Sequence, residues 1–274
     1  MSSAAATTSP LGVPGVALVT GGGSGIGRAI CLLLARSGCA GVCIADISAA
    51  AASSVAQELQ NAATHPAFKV ITCAVDVVDE SSVQEMVATV VKEFGRVDYA
   101  VNCAGIGAIK HGIAETERQE WERMIAVNLT GVFSCVKEEI KQMMQQQPLQ
   151  ADTYAPLQRG AIVNIASLSG LVGLRHSGAY TAAKHGVVGI TQTAALDYPE
   201  VKSNAVVPGY IQTPLTSVPG EMQRNALDKV NNWTPVKRFG LPEEVAESVV
   251  WLLGSRSNFV HGSCLTIDGG YLAH

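Results

Sequence analysis

At 274 residues, 47% of them hydrophobic and 15% charged, the chain suits one sizeable domain with a well-buried core. Its formal net charge of -4 offers nothing to nucleic acid or an anionic membrane, and apolar runs such as SVVWLLG are too short to cross a bilayer. The seven cysteines are odd in number and lack CxxC spacing, so they read as reduced core residues of a cytoplasmic protein, with no disulfide and no metal.

The opening stretch, residues 1–14, has neither a basic nor an apolar leader and is expected to be a disordered tail, leaving residues 15–274 as a single domain. From there, short apolar runs alternate with helical stretches. GVALVT leads into a helix from about Gly25 to Ser37. GVCIAD precedes an Ala-rich helix, and KVITCAVD precedes SSVQEMVATVVKEF. VDYAVNCAG is followed by loops and the long segment WERMIAVNLTGVFSCVKEEIKQMM. GAIVNIAS leads towards YTAAKHGVVGITQTAAL, then SNAVVPG and SCLTIDGG close the series. This rhythm predicts an α/β domain with a doubly wound parallel sheet, its apolar strands covered on both faces.

Two stretches break the rhythm. Residues 145–160, rich in Gln and Pro, are expected to be a surface insertion. Residues 212–240 contain three prolines and a short amphipathic piece, too long for a tight connection, and are a candidate substrate lid.

Gly21, Gly25 and Gly27 follow the first strand and open a helix. Glycines there permit a tight turn and let a pyrophosphate approach the helix-opening N–H groups. Asp46, at the end of the second strand, can accept hydrogen bonds from both hydroxyls of an adenosine ribose. No Arg or Lys follows it and Ser24 is uncharged, so a 2′-phosphate would meet a carboxylate and no cation; NAD is expected rather than NADP. Tyr180 and Lys184 stand four residues apart, on one face of a helix. An ammonium beside a phenol of ordinary pKa about 10 favours the phenolate, which would make the pair an acid/base catalyst. The same spacing also occurs on plain helix surfaces.

In order, these features resemble the short-chain dehydrogenase/reductase family over about residues 15 to 271. The family's TGxxxGxG turn appears as TGGGSGIG, with Gly21, Ser24, Gly25, Ile26 and Gly27. Its acidic adenine position matches Asp76, followed by Val77, and its NNAG appears as NCAG, with Asn102, Ala104 and Gly105. Its catalytic asparagine matches Asn128 in AVNLTG, its serine Ser167 in NIAS, and its YxxxK pair Tyr180 and Lys184. PGYIQT supplies Pro208, Gly209, Ile211 and Thr213, the last two matching residues that hold the nicotinamide carboxamide.

The resemblance implies a Rossmann fold of about seven strands and an NAD-dependent interconversion of a secondary alcohol and a ketone. Tyr180 would be the acid/base, Ser167 would donate to the developing alkoxide, and Lys184 would hold the ribose hydroxyls. Asn128 would hold a water linking Lys184 to solvent. A non-redox enzyme of the same fold (dehydratase, epimerase or cyclase) and a dinucleotide-binding regulator remain as alternatives. The expected pocket, lined by residues 106–113 and 168–178 and by the lid, including Leu171, Val172, His176 and Trp233, is mostly apolar and suits a hydrophobic or cyclic alcohol. Lys110, His111, Arg175 and His176 would either anchor an anionic group or be solvated loop residues. The resemblance further implies a homotetramer, or at least a homodimer. The helices after Asn128 and around Tyr180 would then meet their symmetry mates through Phe133, Val136, Ala182, Ala183, Gly186 and Gly189. Cys103 departs from the family's second asparagine and is expected to be structural. Lys202 and Ser203 replace its usual apolar approach to PG, which bears on subunit packing.

Overall fold

Each short apolar run becomes a strand of one parallel sheet. The strands are β1 (Val16–Thr20), β2 (Gly41–Asp46), β3 (Lys69–Ala74), β4 (Tyr99–Asn102), β5 (Gly160–Ile165), β6 (Val201–Pro208) and β7 (Cys264–Ile267), in the order β3-β2-β1-β4-β5-β6-β7. This computed structural model describes residues 11–107, 111–149, 158–217 and 221–273. Residues 1–10 of the expected tail, residues 150–157 of the insertion, and Lys110 lie outside the described residues.

Parallel neighbours need a crossover, and helices provide it: α1 (Gly25–Arg36), α2 (Ala49–Ala62), α3 (Glu80–Phe94), α4 (Arg118–Ile125), α5 (Gly131–Gln145), α6 (Gly178–Asp197), α7 (Glu221–Trp233) and α8 (Pro242–Leu253). The period-two alternation of each strand sends successive side chains to opposite faces. Ala17 and Val19 therefore join a core with Ile30 and Leu34 of α1, Leu59 of α2 and Val249 of α8. Val16 and Leu18 join a second core with Val87 of α3, Ile140 of α5 and Val187 of α6. Double cover explains why the inner strands are buried throughout. The edge strand β3 departs from that expectation, with Lys69, Thr72 and Ala74 exposed.

The expected tail ends earlier than residue 14. Val13 is fully buried in the first core, and the carbonyl of Gly12 accepts from the backbone of Ser255. Lys202 is also accounted for. It is buried in β6, and its ammonium donates to the Gly254 carbonyl at 2.7 Å and to Ser257 Oγ at 2.9 Å, so it ties the sheet to the end of α8. The described ends of the insertion meet at Leu149 and Gln158, and Gln146 accepts from the Val97 N–H just before β4, away from the strand carboxyl ends. Among the described residues no helix is long and apolar enough to cross a membrane. Strand order reverses between β1 and β4, and a crevice opens there at their carboxyl ends.

Candidate active site

The crevice floor is made by two turns that touch. Thr20 ends β1, and its hydroxyl accepts from the backbone N–H groups of Cys103 and Ala104 at 3.2 and 3.3 Å. Gly21 follows with φ +65, and a Cβ on it would stand 2.8 Å from the Ala104 nitrogen, so conformation and space both demand glycine. Gly27 lies behind the turn, where a Cβ would stand 2.1 Å from the Gly21 carbonyl oxygen; it lets α1 press against the turn. Ser24 makes no capping bond and the first turn of α1 holds no acidic residue, so the opening N–H groups of that helix keep their positive end free for an anion.

At one end of the crevice Asp46 is held by both oxygens. Oδ2 accepts from the Gly23 N–H at 2.9 Å and Oδ1 from the Ser48 N–H at 2.9 Å. Asp76 is exposed nearby and folds back to accept from the Val78 N–H at 3.0 Å, while Val77 is buried.

The other end carries the candidate catalytic groups. Ser167 ends the run after β5 in extended conformation, and its hydroxyl accepts from the Ser169 N–H at 3.2 Å. Lys184 is buried on α6, donates to the Ile165 carbonyl at 2.8 Å, and stands 5.7 Å from the Tyr180 ring centre. Burial lowers its ammonium to about 8. Tyr180 does not follow the expectation that Lys184 would pull it down. Burial raises its phenol, the neighbouring Ser167 hydroxyl opposes that rise, and Lys184 is not among the causes. The lysine is itself desolvated and spends its charge on a carbonyl. Cys103, beneath them, is pushed up to about 11 by burial, as suits an inert structural thiol.

Asn128 lies in a π turn, Ala126–Thr130, between α4 and α5. Its amide is fully engaged: Oδ1 accepts from the Ile106 N–H at 2.9 Å, and Nδ2 donates to the Ile106 carbonyl at 3.0 Å and faces Met124 Sδ. The side chain thus splints the loop after β4. One cavity of about 730 Å³ joins the two ends, bounded by Asp46, Gly21, Gly25, Asn128, Ser167, Tyr180 and Lys184 among others. Its volume, glycine floor and the Asp46 carboxylate at one end fit a nicotinamide dinucleotide.

A family model described as Enoyl-(Acyl carrier protein) reductase matches residues 21–272. A protein of Neurospora crassa named short-chain dehydrogenase is 39% identical over 255 residues, covering 91% of this chain and 94% of its own. This chain is a short-chain dehydrogenase/reductase. The cis-4-hydroxycyclohexanecarboxylate dehydrogenase of Sinomonas cyclohexanicum is also 39% identical, covering 94% of this chain and 96% of its own. Among solved structures, levodione reductase superposes with a TM-score of 0.86 at 32% identity, covering 96% of this chain and 99% of its own. The family membership makes this chain an oxidoreductase acting on CH–OH groups with a nicotinamide cofactor.

Most of the residues carried over from the family's motifs line this one cavity; Gly27 and Asn102 do not. Gly27 packs behind the turn, and Asn102 is buried beneath it. The substrate end follows the expected lining in part. Ile106 belongs to the expected 106–113 stretch and Pro214, Leu215 and Thr216 to the expected lid, and all four bound the cavity, as does Ile211; Leu171, Val172, His176 and Trp233 do not. Leu215 reaches across the mouth, because a Cβ on Gly107 would stand 2.9 Å from its Cδ1. The strap is held by Thr216, whose hydroxyl donates to the Ile211 carbonyl at 2.6 Å and accepts from the Thr213 N–H at 3.0 Å. The residues expected to face a symmetry mate also divide. Phe133, Ala182 and Gly189 are exposed, whereas Val136 and Ala183 are buried in their own subunit and Gly186 abuts Leu129.

Proposed function

We propose that this short-chain dehydrogenase/reductase uses NAD(H) to interconvert a cyclic or otherwise hydrophobic secondary alcohol and its ketone. The observation that carries the reading is the single cavity in which Asp46 and the glycine turn stand at one end and Ser167, Tyr180 and Lys184 at the other. The apolar mouth and the cyclohexane ring in the name of the Sinomonas relative support the substrate class.

Bound there, the nicotinamide supplies or accepts the hydride. In reduction, Tyr180 donates its phenolic proton to the ketone oxygen while Ser167 steadies the charge that develops on that oxygen. In oxidation, Tyr180 takes the alcohol proton. Lys184, on the same face of α6, would hold the ribose hydroxyls. Asn128 has its amide committed to Ile106, so its contribution is to hold the loop and Gly105 in place, and any relay water rests on backbone carbonyls of the π turn.

Large exposed side chains, Phe133 on α5 and Leu196 at the end of α6, support assembly into at least a homodimer, and a homotetramer is the form we propose. The free cysteines and their burial favour a reducing cytoplasm.

The test is a panel of cyclic and acyclic secondary alcohols with NAD, read by absorbance of the reduced cofactor. Turnover on cyclic alcohols above the acyclic ones is the expected result. Cofactor binding with no hydride transfer on any of them overturns the redox assignment in favour of a non-redox enzyme or a regulator.

A further inference from the structure

A row of buried polar side chains, unused by the proposed mechanism, runs beneath the cavity. Asn102, the last residue of β4, donates from Nδ2 to Glu139 Oε2 and to Asn164 Oδ1, both at 2.9 Å. Asn164 of β5 donates to Thr191 Oγ1 at 2.9 Å, and Thr191 of α6 donates to the Val187 carbonyl at 2.7 Å. Glu139, Asn164 and Thr191 are 0% exposed and Asn102 is 2% exposed. The row joins α5, β4, β5 and α6. These are the elements that follow Asn128, precede the turn Cys103–Gly105, lead to Ser167, and carry Tyr180 with Lys184.

Glu139 is the unexpected member. No Lys, Arg or His is paired with it among the described residues, and its hydrogen bond is to an amide. Glu139 Oε1 and Asn102 Oδ1 have no hydrogen-bond partner among the described residues. An ionised carboxylate would be costly there, and an apolar side chain would fill the space between α5 and the sheet more cheaply. A proton on Glu139 gives the pair the donor that its two bare acceptors lack.

We propose that Glu139 is a positioning residue for the cofactor site: hydrogen-bonded to Asn102, it fixes the end of β4 and so the turn Cys103–Gly105 that floors the cavity. This rests on reading the cavity as a nicotinamide site. The turn has little room to move. Ala104 lies against Gly21, and a Cβ on Gly105 would stand 2.6 Å from Asn128 Oδ1 and 4.0 Å from Lys184 Nζ. A small shift of Asn102 therefore reaches the dinucleotide turn and the catalytic lysine together. Burial raises the Glu139 carboxyl to about 7, so the acid form is well populated in neutral solution.

The experiment compares Glu139→Gln, Glu139→Leu and Glu139→Asp in the full chain. NAD dissociation constants are measured by protein fluorescence without substrate, alongside kcat, KM and thermal unfolding. Gln carries both an acceptor and a donor, so Glu139→Gln should keep NAD affinity and kcat within about twofold. Glu139→Leu leaves the Asn102 amide short of its acceptor and should weaken NAD binding about tenfold, with a fall in kcat measured well below its unfolding temperature. Unchanged NAD affinity and kcat in a folded Glu139→Leu, or a Glu139→Gln as impaired as Glu139→Leu, overturns the proposal. Should Glu139→Leu not fold, amide hydrogen exchange of cofactor-free Glu139→Asp decides. Faster exchange at residues 103–105 with β2 unaltered supports the positioning role, and no local difference overturns it. If the unmodified protein binds no nicotinamide cofactor, the functional reading fails, and the exchange measurement still judges Glu139 by itself.

Discussion

The preference for NAD over NADP that we propose rests on one carboxylate that cannot turn away. Both Asp46 oxygens are pinned by backbone N–H groups, so a 2′-phosphate brought to the same ribose would face a fixed negative charge. For about two phosphate charges at ~5 Å, Coulomb's law gives about 1.7 kcal/mol in bulk water and about 7 kcal/mol at an effective dielectric of ~20. Ile47, the next residue, is 74% exposed, so the rim is wet and the low end of that range applies. A penalty of about 1.5–2.5 kcal/mol corresponds to a preference of roughly ten- to seventyfold. Arg28, on the helix that the glycine turn opens, is engaged with Glu58.

Asp46→Asn is the cleanest perturbation. Its amide oxygen can still accept from Gly23, which keeps the turn, while the charge is lost and the Ser48 N–H loses its acceptor. The gap should shrink to within about threefold, and adding Ile47→Arg should reverse it. Calorimetric titration of both cofactors without substrate measures this, and the gap should also narrow as salt is raised. Equal dissociation constants for the two cofactors in the unmodified protein, or a gap unmoved by Asp46→Asn, would refute the reasoning.

Four further outcomes follow from the same structure. Tyr180→Phe should lower kcat about 10²–10⁴-fold with NAD affinity nearly unchanged, and robust turnover in that variant would remove Tyr180 from the chemistry. Because burial raises the Tyr180 phenol, and its phenolate is the base we propose for oxidation, alcohol oxidation should quicken with rising pH while ketone reduction slows; an oxidation rate flat with pH would contradict this. Burial lowers the Lys202 ammonium to about 7 in the fold from an ordinary value of 10.5, so between those values the unfolded chain holds a proton that the fold does not, and this group's contribution to stability rises with pH. Lys202→Met should thus gain most over the unmodified protein near pH ~7 and less towards pH ~9, as urea titrations can show, and a pH-independent difference would argue against it. Light scattering at micromolar concentration should give a multiple of the 28.5 kDa chain; a monomer alone would rule out the proposed assembly.

Much of this site was legible because its chemistry depends on spacing within single elements. A helix fixes the face shared by Tyr180 and Lys184, and a strand end fixes Asp46 beside the glycine turn, so local rules suffice. The covered parallel sheet was legible for the same reason, from apolar runs between helical stretches. What escaped depends on which side of an element the rest of the chain covers. Leu215, not Trp233, bounds the cavity mouth, because the strap from Thr213 to Thr216 folds on its own hydrogen bonds. Val136 faces its own core, although periodicity alone allows it a partner.

Glu138 and Glu139 show the limit most clearly. Consecutive in KEEI, they are the same residue type, and intrinsic propensity cannot separate them. In the fold Glu138 pairs with Lys141 at 2.9 Å near the surface, while Glu139, about 100° further round the helix, meets Asn102 in the core. Charge at such a position opposes burial, so sequence patterning argues against the arrangement that forms. The tertiary structure supplies the missing element, an amide at the end of β4 that a protonated acid can satisfy. The Tyr180 proton obeys the same logic. Its spacing to Lys184 was visible, but its affinity for a proton is raised by desolvation and lowered by the Ser167 hydroxyl, while the lysine is held by the Ile165 carbonyl. Where a reactive group's charge state depends on who else claims its neighbour, the neighbour's other contacts decide, and those are written in the fold.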